Sequence, residues 1–191
     1  MPTVTNLTQT QVDKIQIDEG VVYINYGETT EEKLGPTRGG GEFSATQTIR
    51  DIEFDGRVGK TAGMQVIEGQ EAVLKINCLC CSNGVIKKVL PGCVVTEATQ
   101  SAPEKISNAR AGVLPNGTSD SVYLKNVTMF AKLMDGSYKK ITLKNALHEA
   151  GFTIKAVQKA ENELAMEFYA HYDIANLNGE LYSIEEVASL T

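Results

Sequence analysis

The order of apolar and polar residues predicts a chain built mainly of β-strands. Runs rich in β-branched and aromatic residues recur at 20–26, 42–54 and 64–79. The alternation is cleanest from Leu164 to Tyr172, where apolar positions alternate with mixed ones, so one face of this strand is expected to be buried. Ile49 and Ile52 break strict alternation within 42–54, which predicts a bulge or a strong twist.

Turn residues organise these runs. Asp135-Gly136 separates two strand-like runs, 121–134 and 137–143, and predicts a tight hairpin. A second hairpin is predicted from 152–157 and 163–172, and we expect it to turn near 159–162.

Few segments have a helical pattern, and each of them is short. Residues 83–90 can form a helix that ends at Pro91-Gly92. Residues 145–150 can form a helical turn, and the acidic tail allows helical pairing near Glu185 and Glu186.

The pattern predicts one domain preceded by an arm. Residues 1–18 are polar and are expected to be extended or poorly ordered, and residues 19–191 form the domain. Residues 27–41 and 100–119 lack strand or helix pattern and are predicted to be long loops. The predicted fold class is mainly β, an antiparallel β-sandwich or barrel with one or two short α-helices.

The net charge of the chain limits the classes of function that it is suited to. The chain has 18 Lys and Arg against 24 Asp and Glu, a net charge of −6. This balance argues against a protein that grips nucleic acid, although it allows nucleic acid to slide past. No apolar run approaches the roughly 20 residues of a membrane span. The N-terminus lacks a basic start and an apolar core, so we expect no signal peptide and synthesis in a cytoplasm.

The cysteines do not follow a metal-binding pattern. Cys78, Cys80 and Cys81 fall at strand-like spacing, and Cys93 comes later. A zinc site needs two Cys or His pairs, and CxCC with one later cysteine does not supply them. We therefore expect reduced core cysteines and no metal. His148 is predicted at the surface near a helix end, and His171 within a strand.

Candidate chemistry is sparse elsewhere. Gly59-Lys60-Thr61 is similar to the end of a phosphate-binding loop, but Phe54 stands where that loop requires glycine, so Lys60 is predicted to be a surface charge. The run Gly39–Gly41 could cradle an anion with its amides, although a hinge is the favoured interpretation. No nucleophile elbow and no HExxH motif is present. The sequence predicts a non-enzyme without a cofactor.

Three phrases of the N-terminal half resemble the major tail tube proteins of long-tailed, non-contractile (siphovirus-type) bacteriophages. They are LGPTRGG at 34–40, RDIEFDG at 50–56 and GKTAG at 59–63. ENELAMEFYAHYDI at 161–174 is similar to the penultimate strand of that family, and the likeness spans roughly 20–184. The phrase LYSI at 181–184 departs from the Pro-rich phrase that is commonest near the end of the family.

The resemblance implies a structural role in a virion tail. In that family six subunits join sheets edge to edge into a ring with an inner β-barrel, and rings stack into a conduit for DNA ejection. The implied partners are further copies of the chain, a tape measure protein inside the lumen, a tail terminator and a distal tail protein, without a membrane. DNA would pass without specific binding, and assembly would occur in the host bacterial cytoplasm. Six copies would carry six times −6, or −36, which repels phosphates.

Two sets of candidate partner-binding residues follow from the resemblance and from the pattern. The first is a mobile inter-ring loop with Glu31, Glu32, Lys33, Leu34, Thr37, Arg38, Gly39 and Gly40. The second is an inter-subunit strand that lines the lumen, with Phe43, Thr46, Thr48 and Arg50. The strand carries Ser and Thr in place of the prolines that would block edge pairing.

Alternatives from other classes stay open at this stage. A tube of a contractile tail, a phage-like bacteriocin or a type VI secretion system would share the fold. A ligand-binding or carbohydrate-binding β-sandwich is a third interpretation, although the low aromatic content of 6% is unfavourable for it.

Overall fold

The computed structural model describes residues 7–108, 111–117, 121–155, 158–159 and 161–190. Within these residues the chain is mainly β with two short helices, as the pattern predicts. The elements are α1 (Gln9–Asp13), β1 (Gln16–Ile24), β2 (Glu32–Lys33), β3 (Thr37–Asp51), β4 (Gln65–Cys78), α2 (Asn83–Val89), β5 (Val94–Thr96), β6 (Lys105–Ser107), β7 (Leu124–Leu133), β8 (Tyr138–His148), β9 (Leu164–Tyr169) and β10 (Tyr182–Val187).

Eight strands form one antiparallel sheet in the order β2-β1-β7-β8-β9-β4-β3, with β10 beside β8. Strand β8 belongs to both halves of this sheet. Its first part pairs with β10, as in Tyr182 opposite Leu143, and its last two residues pair with β9. A separate pair is formed by β5 and β6.

The two halves of the sheet pack face to face. The Phe43 ring on β3 contacts the Tyr182 ring on β10 with centroids 5.1 Å apart. Apolar side chains from β1, β4, β7, β8, β9 and α2 form one buried cluster between them. The expected alternation of β9 is confirmed, since Leu164, Met166 and Phe168 are each at most 1% exposed. Burying side chains of this size stabilises a fold by about 1.5–3 kcal/mol each.

Several local predictions are confirmed. The Asp135-Gly136 hairpin joins β7 to β8, and Gly136 has the positive φ of 86° that this turn needs. The helix predicted at 83–90 is α2, where the Ser82 hydroxyl caps the N-terminus by accepting from the Val85 N–H at 3.4 Å. The predicted irregularity near Ile49 is a register shift between Thr48 and Ile49.

Other local predictions are wrong because the residues concerned pair with strands that are distant in sequence. The loop at 27–41 contains β2 and the first residues of β3, so it is much shorter than expected. The predicted helical turn at 145–150 is the end of β8. The acidic tail is β10, where Glu185 and Glu186 form ion pairs across the strands with Lys140 (3.1 Å) and Lys139 (2.7 Å).

The remaining differences lie at the ends and in the loops. The arm holds helix α1, which begins in a capping box formed by Thr8 and Gln11, and its last residues belong to β1. Strand β9 pairs with β4 and β8, so the second predicted hairpin is wrong, and 156, 157 and 160 lie outside the described residues. The loop at 100–119 contains β6, while 109, 110, 118 and 119 are not described.

Candidate assembly interface

Strands β3 and β4 extend beyond the packed body as a two-stranded ribbon, which consists of residues 44–51 and 65–71. Phe43 is half-buried and Ala72 is fully buried, so the body ends there. Every residue of the ribbon except Asp51 is exposed, although its strands alternate towards two faces. A lone two-stranded ribbon is at best marginally stable in water. Its exposure therefore makes it a candidate surface for contact with another chain.

The two faces of the ribbon differ in chemistry. One face continues the buried side of the sheet and carries Ala45, Gln47 and Ile49. Ile49 lies directly opposite Ile67, and the two side chains are 57% and 51% exposed. The other face is mainly polar, with Thr46 opposite Glu71, and its exposed apolar residue is Val66, which lies opposite Arg50. The ribbon thus presents an apolar pair on one side and hydrogen-bonding groups on the other.

Strand β3 also has an open edge. It is the last strand in the order of the sheet, and among the described residues only β4 pairs with it along its length. No proline interrupts its 15 residues. A long edge of this kind is able to add a strand from another chain.

The structure separates the predicted lumen set into two faces. Thr46, Thr48 and Arg50 share the polar face, where Arg50 forms an ion pair with Glu68. Phe43 points the opposite way and packs against the core. Ile67, on the apolar face, is not among the predicted site residues, because the sequence does not show that its strand leaves the packed body.

The outer face of β4 and β9 continues the polar surface with charged side chains in a row. Glu42 lies opposite Lys75, which lies opposite Glu167 on β9. Lys75 Nζ is 3.2 Å from Glu167, and this hydrogen bond raises the pKa of the lysine. Burial, and then the hydrogen bond to Glu167, raises the pKa of Tyr169.

The predicted inter-ring loop is tied to the body at several points. Leu34 is 2% exposed and belongs to the core, and its N–H donates to the Val22 carbonyl at 2.9 Å. Glu32 forms an ion pair with Lys88 of α2. Thr37 pairs with Cys78. The loop therefore does not project freely, and of its predicted residues Glu31, Glu32, Lys33, Arg38 and Gly39 are exposed.

Arg38 and the glycines form a bend at the start of β3. Arg38 bridges Glu161 and Glu163 at 3.0 Å each, and these hydrogen bonds raise its pKa and lower that of Glu161. Gly39 and Gly40 have φ of 76° and 74°, within a register shift between Thr37 and Gly41. The three glycines, 39–41, therefore bend a paired strand and do not form a free hinge.

The loop at the ribbon tip, residues 52–64, is held by one arginine. Arg57 Nε donates to the Gly59 carbonyl at 2.6 Å, and its Nη1 donates to the Ile52 carbonyl at 3.3 Å. Arg57 also lies 3.2 Å from Asp51, whose carboxylate accepts from Gln65 at 3.0 Å. The hydrogen bond from Gln65, and then that from Arg57, lowers the pKa of Asp51.

Lys60 is 84% exposed, as predicted for a surface charge. Phe54 and Val58 of the same loop are 47% and 102% exposed. The sequence predicts Phe54 within the strand 42–54, but β3 ends at Asp51 and Phe54 belongs to the tip loop. Val58 falls in the glycine-rich segment that is predicted to be a turn or short loop.

The histidines differ from expectation. His148, predicted at the surface, is 1% exposed, and neither ring nitrogen has a hydrogen-bond partner among the described residues. Burial lowers its pKa, and the charge of Glu167 and the nearby backbone of Val89 and Ala165 oppose this only in part, since neither backbone group forms a hydrogen bond of good geometry with the ring. His171 follows β9, and its Nε2 lies 3.0 Å from Glu149.

The cysteines are free thiols in the described chain. Cys78 is buried, and its pKa is raised by burial, while Cys80, Cys81 and Cys93 are half-buried. Among the described residues no group of three His, Cys, Asp or Glu side chains is placed to hold a metal ion. No helix of the described chain is long and apolar enough to cross a membrane.

Among known proteins, the chain is similar to solved structures, and one of them is described here. No protein-family model matches the chain, and no curated protein matches it. A chain from the "Cryo-EM structure of the anti-feeding prophage (AFP) baseplate, 6-fold symmetrised" is similar over 90% of this chain and 94% of that chain. The two share 12% identity with a TM-score of 0.43, so we base no conclusion on that likeness.

Proposed function

We propose that this chain is a structural subunit of a phage-type tail tube, in which six copies form a ring and rings stack into a conduit for DNA. Two independent features support the proposal. The sequence phrases at 34–40, 50–56 and 59–63 resemble tail tube proteins. The ribbon formed by β3 and β4 provides the kind of surface that such an assembly needs.

The ribbon is the observation that carries the proposal. Ile49 and Ile67 face each other at more than half exposure on a pair of strands with water on both sides. Burying one such side chain stabilises an interface by about 1.5–3 kcal/mol. A ring of subunits would bury the pair in every copy, and pairing of the open edge of β3 would satisfy its backbone groups.

We assign the polar face of the ribbon to the lumen. Glu71 and Arg50 lie on this face, and Glu42, Lys75 and Glu167 lie on the outer face of β3, β4 and β9 that continues it. An acidic wall would repel phosphates, so that DNA passes without binding. The apolar face, with Ile49 and Ile67, would then pack on the neighbouring subunit.

The role is proposed to be structural and not catalytic. Its partners would be further copies of the chain, a tape measure protein in the lumen, and a terminator and a distal tail protein at the two ends. A tube from a contractile machine would use the same subunit surfaces and differ by a sheath on the outer wall. A ligand-binding sandwich would leave the ribbon unexplained.

The test is assembly of the purified protein. We expect negative-stain microscopy and sedimentation velocity to show rings or tubes for the wild type. The double variant Ile49→Lys with Ile67→Lys is expected to stay monomeric, because buried lysines in an interface are unfavourable without partners. Both positions are exposed in the monomer, so its circular dichroism and Tm should hardly change.

Val113→Lys is the matched control, since it replaces an apolar side chain that is 99% exposed outside the ribbon. That variant should assemble like the wild type. A wild type that remains a monomer at every salt and protein concentration contradicts the proposal, as does normal assembly of the ribbon variant.

A further inference from the structure

The tip of the ribbon is a braced loop and not a loose end. Besides the contacts of Arg57, the Ile52 N–H donates to the Met64 carbonyl at 2.8 Å, and the Gln65 amide donates to the Thr61 carbonyl at 2.8 Å. Side chains on such a loop lose little conformational freedom when they bind, which favours binding.

This braced loop displays apolar side chains between acidic ones. Phe54 is 47% exposed and stands between Glu53 and Asp55, both of which are exposed. Val58 is fully exposed. The tip is therefore an apolar knob with two carboxylates beside Phe54, while the exposed Lys60 of the same loop lies 3.8 Å from Asp51.

A matching cavity lies at the opposite end of β3. It occupies about 440 Å³ between β1 and the start of β3. Its lining residues include Val21, Val22, Lys33, Leu34, Pro36 and Thr37. Lys33 is exposed at the rim and has no ion pair among the described residues. The cavity is thus apolar inside with a positive charge at its mouth.

A second cavity fits the tip less well. It occupies about 500 Å³ beside α2, between Leu90 and Leu147. Glu149 belongs to its lining and would repel Glu53 and Asp55 of the tip. A third cavity, of about 390 Å³, is lined by Lys87 and Lys88, but these lysines are already ion-paired with Glu104 and Glu32. Of these three cavities, charge complementarity therefore favours the one between β1 and β3, where Lys33 is unpaired among the described residues.

The tip cannot fill the cavity of its own chain. Strand β3 begins beside the cavity at Thr37 and ends at Asp51, where the tip begins. A strand of that length spans roughly 40 Å at about 3.3 Å per residue, even with some shortening by bulges. Only a second copy can bring the two surfaces together.

We propose that Phe54 and Val58 of one copy insert into the cavity between β1 and β3 of a second copy, with Lys33 facing Glu53 and Asp55. The proposal rests on self-assembly as the proposed function and adds the contact that links the copies. The contact is heterologous, because it joins different surfaces of the two chains. Repeated from copy to copy, such a contact closes a ring or extends a tube.

Photo-cross-linking tests the contact directly. The photoreactive residue p-benzoyl-phenylalanine replaces Phe54, and the assembled protein is irradiated, digested and sequenced by mass spectrometry. We expect cross-links to peptides containing residues 20–37 of another copy. The same residue at position 113 is the control and should not label that region. Cross-links from position 54 that map mainly elsewhere overturn the proposal.

A charge exchange supplies a second test. Lys33→Glu alone, and Glu53→Lys with Asp55→Lys, should each raise the protein concentration needed for assembly by about tenfold, since like charges meet. The triple variant should recover most of the loss. A defect of Lys33→Glu that the triple variant does not relieve contradicts the contact.

The outcomes separate the two proposals. Wild-type rings or tubes without cross-links to residues 20–37 leave the tail tube proposal standing and remove this contact. A wild type that never assembles contradicts both proposals.

Discussion

His148 shows how burial gives one residue a measurable property. The imidazole lies edge-on to Phe168, with ring centroids 5.8 Å apart, and has no hydrogen-bond partner among the described residues. A charged ring in such a site is unfavourable, so burial holds its pKa below the ordinary value of 6.5. The folded protein therefore keeps this histidine neutral.

We expect this histidine to make folding sensitive to mild acid. Its folded pKa is lowered, so its stabilising contribution is complete above pH 6.5 and is lost as the pH falls towards the lowered pKa. The loss is at most about 1.4 kcal/mol per pH unit. Urea denaturation from pH 7.5 to 5 measures it, and His148→Phe should flatten the curve.

Should His148→Phe fail to fold, an NMR titration of the wild-type ring serves instead. A pKa at or above 6.5 would contradict the expectation. Glu167 is the charged group near the ring that favours protonation, so Glu167→Gln should lower the pKa further.

The sequence could not reveal this residue. The sequence predicts a helical turn at 145–150, whereas β8 continues through Asn145, which has a positive φ of 47°, as far as His148. Burial of three consecutive residues, Ala146 to His148, follows from pairing with β9 and packing below α2. None of these contacts is local in sequence.

At the scale of elements, the sequence predicts those turns and helices that depend on neighbouring residues. It does not predict pairing between strands that are distant in sequence. The hairpin at Asp135-Gly136 and helix α2 depend on turn and cap residues within a few positions. Strand β10 pairs with β8 across about 40 residues, and its glutamates meet lysines that no sequence window contains. Glycine is needed at position 41, in the bend at Arg38, for a separate reason. A Cβ at this position would lie 2.4 Å from the Met129 sulfur.

The hairpin between β7 and β8 yields an element-scale prediction. Asp135 accepts from the Ser137 hydroxyl and N–H and from Lys14, which follows α1. These contacts, with the Ser137 hydroxyl first, lower the pKa of Asp135 to about 2. The stabilisation is present above the ordinary value of 3.8 and is lost as the pH falls through about 2.

Carbonyl-carbon NMR of the Asp135 side chain can follow this titration. Ser137→Ala should move the pKa back towards 3.8, because it removes the largest cause. An unchanged pKa in Ser137→Ala would show that Lys14 and the backbone N–H of residue 137 set the value without the hydroxyl. Lys14→Met tests the smaller contribution in the same way.

For the whole molecule, the central prediction is that the body folds without the ribbon. Ala45 and Ala72 are directly opposite each other in the register of β3 and β4. Replacing 46–71 by Asn-Gly would close these strands with a two-residue turn. The buried side chains of the body, Leu74 among them, are kept.

We expect this shortened protein to fold with a Tm within a few degrees of the wild type and to remain a monomer. Circular dichroism and sedimentation velocity measure both properties. An unfolded product would mean that the ribbon is needed for folding, and rings from the shortened chain would remove its proposed role. Deleting residues 31–40 is a poorer test, because it removes the core residue Leu34.

The fold class and the segment of the proposed assembly surface were within reach of the sequence, but their geometry was not. The pattern predicted a β-protein and drew attention to 34–63, which spans β3 and the tip. The sequence pattern does not show which strands project from the body. Both faces of a strand are exposed only beyond the point where the opposing half of the sheet ends. The inter-ring loop, predicted to be mobile, is anchored by the buried side chain of Leu34. Strand β3, predicted to line the lumen, extends beyond the body.

The sharing of β8 between the two halves has a mechanical consequence. Tension applied to the ribbon passes along β4 to β9 and through β9 into the end of β8, where Leu147 and His148 form the link. From β8 it spreads to β7 and β10 through ladders of hydrogen bonds that lie across the strands. A bending tube would therefore load many bonds together in shear, and its walls would flex as continuous sheets instead of parting between layers.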